Sequence, residues 1–93
     1  MIKSFRDDQT KSIFDGQKIR RLDQDLVKKT RRRLEYLNAA KNLEDLFFPP
    51  SNKFHALKGV SPARYAISVD SQWRITFEWH NGDAQEVFFE DYH

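Results

Sequence analysis

Residues 73–93, WRITFEWHNGDAQEVFFEDYH, alternate in polarity, turn, and then form a second run rich in strand-forming residues. In the first run the large apolar side chains recur at every second position: Trp73, Ile75, Phe77 and Trp79. This period of two predicts a strand with one apolar and one polar face. Asn81-Gly82 favours the two positive φ values of a type I′ turn, so the segment predicts an antiparallel hairpin.

Two shorter segments before this hairpin also predict strands. They are KFHAL (53–57) and RYAISV (64–69). In the second segment the apolar face is formed by Tyr65, Ile67 and Val69. Asp70-Ser71 then separates it from the next strand by the length of a tight turn. The second half of the chain therefore predicts an antiparallel meander.

The first half of the chain predicts helices. MIKSF (1–5) is a candidate first strand, and Asp7 or Asp8 would cap a short helix that ends at Gly16. A longer helix is predicted from about Gln24 to Ala40, because inward-facing positions recur at helical spacing at Leu26, Thr30, Leu34 and Leu37.

Flanking residues mark both ends of the long helix. Asp23 is the expected N-cap, and Pro49-Pro50 prevents the helical pattern from continuing. Helices followed by a meander predict an α+β fold formed by a single domain, residues 1–93. We expect the N-terminal helices to pack on one face of a mostly antiparallel sheet and to leave the other face partly open.

Composition narrows the classes of function. The chain has 93 residues, no cysteine and a formal net charge of +2. The absence of cysteine excludes disulfide frameworks, thiolate catalysis and cysteine zinc sites. The N-terminus lacks the apolar segment of a signal peptide, and no apolar run reaches the length that spans a membrane, so a cytoplasmic protein with no membrane partner is expected.

One polar set stands out on the predicted open face. Strand parity places Arg74 opposite the tryptophans, and a meander can bring its strand close to His55 and to the chain terminus. Lys58 follows the strand that carries His55. The candidate catalytic residues are therefore His55, Lys58, Arg74, Asp91, Tyr92 and His93.

This set suits cleavage of RNA by its own 2′-hydroxyl group. Such a reaction needs a base for the hydroxyl, cations for the phosphorane and an acid for the departing 5′-oxygen, and it requires no metal or other cofactor. Histidine can serve as acid or base near neutral pH. Arg74 and Lys58 would stabilise charge on the phosphate.

Ordinary structural roles explain several of these residues equally well. His55 taken alone is more often a sheet histidine, and Arg74 could be a solvated or ion-paired residue of the polar face. The run KKTRRR (28–33) carries five cations in six residues on the long helix. It is either a solvated helix face or a surface for nucleic acid or an acidic partner, with Lys28, Lys29, Arg31 and Arg32 facing outward.

Five motifs in order resemble one family of proteins. They are MIKSF (1–5), RRL (20–22), LEDLFFPPSNKFHALKG (43–59), QWRITFEW (72–79) and the terminal DYH (91–93). Over essentially the whole chain, this combination resembles the HigB family of bacterial toxins, within the larger RelE/ParE-like group.

The resemblance implies a ribosome-dependent mRNA endonuclease that inhibits translation. It also implies a HigA-type helix-turn-helix antitoxin as a partner, with operator DNA contacted only through the antitoxin complex. Position by position, it matches the same six candidate catalytic residues. The alternative is a toxin that acts by binding alone, because the related ParE branch poisons gyrase without cleaving RNA, and fold alone does not separate the two.

Overall fold

The computed structural model describes residues 1–92. Within them, the α-helices are α1 (Asp8–Phe14) and α2 (Gln24–Ala39), followed by 3₁₀ segments at Leu43–Phe47 and Pro50–Asn52. The strands are β1 (His55–Ala56), β2 (Tyr65–Ser68), β3 (Trp73–His80) and β4 (Asp83–Asp91). In this part of the chain, no helix has both the length and the apolar character needed to cross a membrane.

The four strands form an antiparallel sheet in the order β1-β2-β3-β4, which confirms the predicted meander. MIKSF does not form a continuous strand. It runs parallel to β4 and makes two isolated bridges, Ile2 to Ala84 and Phe5 to Val87. The N-terminal segment thus covers part of the edge of β4 that would otherwise expose unpaired backbone groups.

Both helices begin where their capping residues predict. The Asp7 side chain accepts a hydrogen bond from Thr10 N, and the Asp23 side chain accepts one from Leu26 N. Each cap satisfies an amide that has no partner within its helix. The α1 helix ends at Phe14, close to Gly16, and α2 ends one residue earlier than expected.

The core lies between the helices and one face of the sheet. Leu34 and Leu37 of α2 are fully buried in one cluster with Ile75 and Phe77 of β3. Burial of each such side chain contributes about 1.5–3 kcal/mol. The α+β architecture is confirmed, and Trp73 and Trp79 pack against this cluster as strand parity predicts.

The turns differ in how closely they follow the sequence. Asn81 and Gly82 have φ values of 51° and 84°, as a type I′ turn requires. The predicted two-residue turn at Asp70-Ser71 is wrong, because β2 ends at Ser68 and β3 begins at Trp73. The Asp70 carboxylate accepts hydrogen bonds from the backbone amides of Gln72 and Trp73, which stabilises this longer loop.

A β-bulge interrupts the pairing of β3 with β4. Glu78 pairs with Gln85, whereas Thr76 pairs with Phe88, so β4 contains one extra residue between these pairs. Glu86 lies in the bulge with a φ of 50°. An extra residue reverses the alternation of side chains along the strand, so residues after the bulge change face relative to an uninterrupted strand.

The polar face of the sheet is not open in its centre. Arg64 is only 5% exposed and lies across this face. Its Nη2 donates to Thr76 Oγ1 at 2.9 Å and to the Glu86 carbonyl at 2.8 Å, and its Nη1 lies 3.6 Å from Glu78 Oε2. Burial, together with nearby Arg6, lowers the pKa of Arg64 from its usual value. Arg64 therefore covers the centre of this face, and the part that remains accessible lies near Arg74.

Candidate active site

A cleft of about 90 Å³ opens on the polar face of the sheet beside Arg74. It is lined by Lys53, His55, Ser68, Arg74 and Tyr92. Ser68 of β2 pairs directly with Arg74 of β3. Cross-strand partners share a face of the sheet, and this pairing places the two side chains side by side.

Arg74 contacts two side chains at the end of the last strand. Its Nε lies 3.3 Å from Glu90 Oε1, and its Cζ lies 5.0 Å from the centre of the Tyr92 ring. Among residues 1–92, Nη1 and Nη2 of Arg74 have no hydrogen-bonding partner. These planar donors can therefore bind two oxygens of a phosphate group.

The His55 ring is oriented by the backbone. Its Nδ1 lies 2.9 Å from the carbonyl oxygen of Lys53. A carbonyl oxygen can only accept a hydrogen bond, so Nδ1 must carry the proton in this arrangement. In the neutral ring, Nε2 then holds the lone pair and can accept a proton from a substrate.

Three of the six predicted catalytic residues meet in this cleft: His55, Arg74 and Tyr92. Lys58 lies in the exposed turn after β1 and does not line it. Asp91 pairs with Trp73, which places its side chain on the face opposite Arg74, where Oδ2 accepts a hydrogen bond from Gln72. His93 lies outside the described residues.

Sequence reasoning missed Lys53 and Ser68, which also line the cleft. Lys53 precedes His55 by two positions, but it lies outside β1 in a left-handed conformation, so the alternation of a strand does not place it in the cleft. Ser68 could be placed beside Arg74 only once the register of β2 with β3 was known. Its Oγ donates to the Asp70 carbonyl, so the hydroxyl also helps to shape the loop after β2.

Comparison with known proteins decides the family. Residues 3–93 match the family described as the RelE-like toxin of type II toxin-antitoxin system HigB. The chain belongs to the HigB-like toxin family. It is 34% identical over 93 residues to a Proteus vulgaris protein named endoribonuclease HigB, with all of both chains covered. It is also 31% identical to toxin HigB-1 of Vibrio cholerae, over 97% of this chain and 96% of that one.

This HigB-family toxin has a second, larger cavity of about 480 Å³ beside helix α2. We call it the basic groove. Its cationic residues are Lys28, Lys29, Arg32 and Arg33, and its other lining residues are Tyr36, Pro49, Ser51 and Val69. Four cations along one groove produce a positive potential that attracts polyanions.

Two arginines of α2 have positions that the sequence did not predict. Arg31 does not line the basic groove, because its Nε donates to the Ile13 carbonyl at 2.8 Å and thereby joins α2 to the end of α1. Arg33 does line it, and its guanidinium donates to the Ser68 carbonyl and to Ser51 Oγ. Of the four predicted RNA-binding residues, Lys28, Lys29 and Arg32 thus lie together.

Proposed function

We propose that this toxin is a ribosome-dependent endoribonuclease that cleaves mRNA and inhibits translation, and that residues 1–93 form its single domain. The observation that carries the proposal is a cleft in which His55, Arg74 and Tyr92 come together. Its support from relatives is the full-length similarity to a protein named endoribonuclease HigB.

The chemistry is attack by a 2′-hydroxyl on the adjacent phosphate. His55 Nε2 accepts the hydroxyl proton as the 2′-oxygen bonds to phosphorus, and the bond from phosphorus to the 5′-oxygen breaks. Arg74 stabilises the charge on the non-bridging oxygens. The products are a 2′,3′-cyclic phosphate and a 5′-hydroxyl, and no step needs a metal or another cofactor.

The remaining predicted residues have supporting roles in this proposal. His93 supplies the proton that the departing 5′-oxygen requires. Tyr92 orients the Arg74 guanidinium through its ring. Asp91 holds the end of β4 through Gln72. Lys58 would add positive charge from the exposed turn after β1.

The basic groove fits the second requirement of the proposal, which is attachment to the ribosome. Ribosomal RNA presents a dense array of phosphates, and lysine and arginine contacts dominate affinity for such a surface. Lys28, Lys29 and Arg32 would make these contacts in the cytoplasm, where translation occurs. A HigA-type helix-turn-helix antitoxin would neutralise the toxin, and operator DNA would be bound only through that complex.

The test is cleavage of end-labelled mRNA, either naked or on translating ribosomes. We expect cleavage only on ribosomes, with cyclic phosphate and 5′-hydroxyl ends at the cut. Arg74→Ala and deletion of His93 should each abolish cleavage and growth inhibition while the fold stays intact, as circular dichroism would show.

Intact RNA in both reactions, from protein that still arrests growth, would overturn the enzyme proposal and favour a toxin that acts by binding, with gyrase as the next target to assay. Full toxicity of a stably folded His93 deletion would remove His93 from the mechanism.

A further inference from the structure

Lys53 has an unusual backbone conformation for its residue type. It follows the Pro50–Asn52 segment with φ 48° and ψ 44°, in the left-handed region. A residue other than glycine pays about 1–2 kcal/mol there, so the surrounding structure must hold it. Lys53 is one of the residues that line the cleft containing His55 and Arg74.

The segment before Lys53 is firmly anchored. Asn52 is fully buried, and its Nδ2 donates to the carbonyl oxygens of Leu46 and Phe48 at 3.1 Å each. The Lys53 amide donates to the Pro50 carbonyl at 3.0 Å. These bonds hold the left-handed turn from which the Lys53 carbonyl reaches His55 Nδ1.

We propose that Lys53 is a catalytic residue of the cleavage reaction and that it acts in two ways. Its ammonium group binds a non-bridging oxygen of the scissile phosphate opposite Arg74. Its carbonyl oxygen holds the Nδ1 proton of His55, which leaves Nε2 to act as the base. This inference rests on the proposed function and adds a cation that no sequence motif had singled out.

The charges favour this assignment. The phosphorane formed by 2′-hydroxyl attack carries more negative charge than the starting diester, and Glu90 partly neutralises Arg74 at 3.3 Å. A second cation inside the cleft compensates for that carboxylate. Lys53 transfers no proton, since the 2′-hydroxyl proton passes to His55 and the 5′-oxygen takes its proton from a separate acid.

The first experiment measures single-turnover cleavage on ribosomes by Lys53 variants. Lys53→Met should lower the rate constant about 100-fold, as expected when one charge-stabilising group is removed. Lys53→Arg should recover most of the rate. Lys53→Gly lacks the ammonium group but keeps the carbonyl and readily adopts the left-handed backbone. It should therefore fold normally and cleave as slowly as Lys53→Met, which separates loss of charge from poor folding.

Two other lysines provide comparisons. Lys18, an exposed residue between α1 and α2, lines neither cavity, and Lys18→Met should cleave at the wild-type rate. Lys58→Met should lose less activity than Lys53→Met. A wild-type rate for Lys53→Gly, or a greater loss for Lys58→Met, would overturn the assignment of Lys53.

The second experiment does not depend on activity. Long-range ¹H–¹⁵N correlation spectra of the free toxin should show the His55 proton on Nδ1, in the wild type and in Lys53→Met alike, because both keep the carbonyl. A proton on Nε2 in the neutral ring would contradict the positioning role. Wild-type protein that leaves RNA intact on ribosomes would instead defeat the proposed function, and the spectra would still decide the tautomer.

Discussion

The guanidinium of Arg74 lies over the ring of Tyr92, with 5.0 Å between Cζ and the ring centre. Tyr92 follows β4 directly, and Glu90 of the same strand lies 3.3 Å from Arg74 Nε. The end of β4 and the residue after it therefore supply the carboxylate and the aromatic ring that orient this arginine. The arrangement restricts Arg74 to a position from which its two Nη groups can reach a phosphate in the cleft.

Substitution of Tyr92 separates the contribution of its ring from that of its hydroxyl group. If the ring acts by orienting Arg74, Tyr92→Phe should retain nearly wild-type cleavage. Tyr92→Ala should lose about two- to fivefold in rate, because an exposed cation–π contact contributes about 0.5–1 kcal/mol. The rate of mRNA cleavage on ribosomes is measured for both variants. A large loss in Tyr92→Phe would show that the hydroxyl itself takes part in the reaction.

At the bulge, replacing Glu86 by glycine should not lower the stability of the protein, although glycine usually destabilises a strand. Glu86 has a φ of 50°, and a left-handed conformation costs a non-glycine residue about 1–2 kcal/mol. Glu86→Gly removes this cost but also the contact of the carboxylate with Ser4 Oγ at 3.3 Å. We expect the free energy of unfolding to stay equal or to rise, measured by urea denaturation.

Glu86→Val provides the matched comparison, because a β-branched side chain is disfavoured at positive φ. It should lower the free energy of unfolding by about 1–2 kcal/mol relative to Glu86→Gly. Equal stability of the two variants would mean that the strand relaxes to another register.

Arg64 should be a major determinant of stability. Arg64→Met leaves Thr76 Oγ1 and the Glu86 carbonyl without their donor and removes the ion pair with Glu78. Breaking a buried pair by removing one partner costs about 3–5 kcal/mol, measured as the free energy of unfolding. Arg64→Met combined with Glu78→Gln should lose less than the sum of the two single variants. A loss below about 1 kcal/mol in Arg64→Met would contradict the network, since that is the usual value of an exposed pair.

The salt dependence of ribosome binding should distinguish the cations of the basic groove from Arg31. Lys29→Ala combined with Arg32→Ala should weaken ribosome binding and lower the slope of log K against log[salt] by roughly one to two units, about one for each phosphate that the variant no longer binds. Binding titrations from low to moderate salt measure this slope.

Arg31→Ala should behave differently. It removes the bond to the Ile13 carbonyl and should lower the free energy of unfolding by about 1–2 kcal/mol, with little change in the slope. If Arg31→Ala lowers the slope as much as the double variant does, Arg31 also contacts phosphates. The basic groove would then not separate the RNA-binding cations of α2 from Arg31.

Local sequence predicted much of the fold and part of the cleft. Asp7 and Asp23 act as N-caps because each cap depends only on amides within the next few residues. The alternation along β3 placed Arg74 on the polar face for the same reason, since a strand has a period of two. His55 and Tyr92 were found through their chemistry and their place in the motifs.

The remaining features depend on contacts between distant parts of the chain. Whether Tyr92 or Asp91 faces Arg74 is decided by the bulge at Glu86, because one extra residue reverses the alternation of β4. Arg64, distant in sequence from Glu86, binds its carbonyl, and Ser4 binds its amide, so that bulge depends on three separate segments.

The sequence by itself therefore determined the helices, the meander and the face that carries Arg74, since each of these follows from short-range periodicity and capping. Only the tertiary structure decided which side chains meet in the cleft. Lys58 does not line it, whereas Lys53 does. The left-handed turn that carries Lys53 is held by buried hydrogen bonds from Asn52 to Leu46 and Phe48, a constraint that spacing along the chain does not encode.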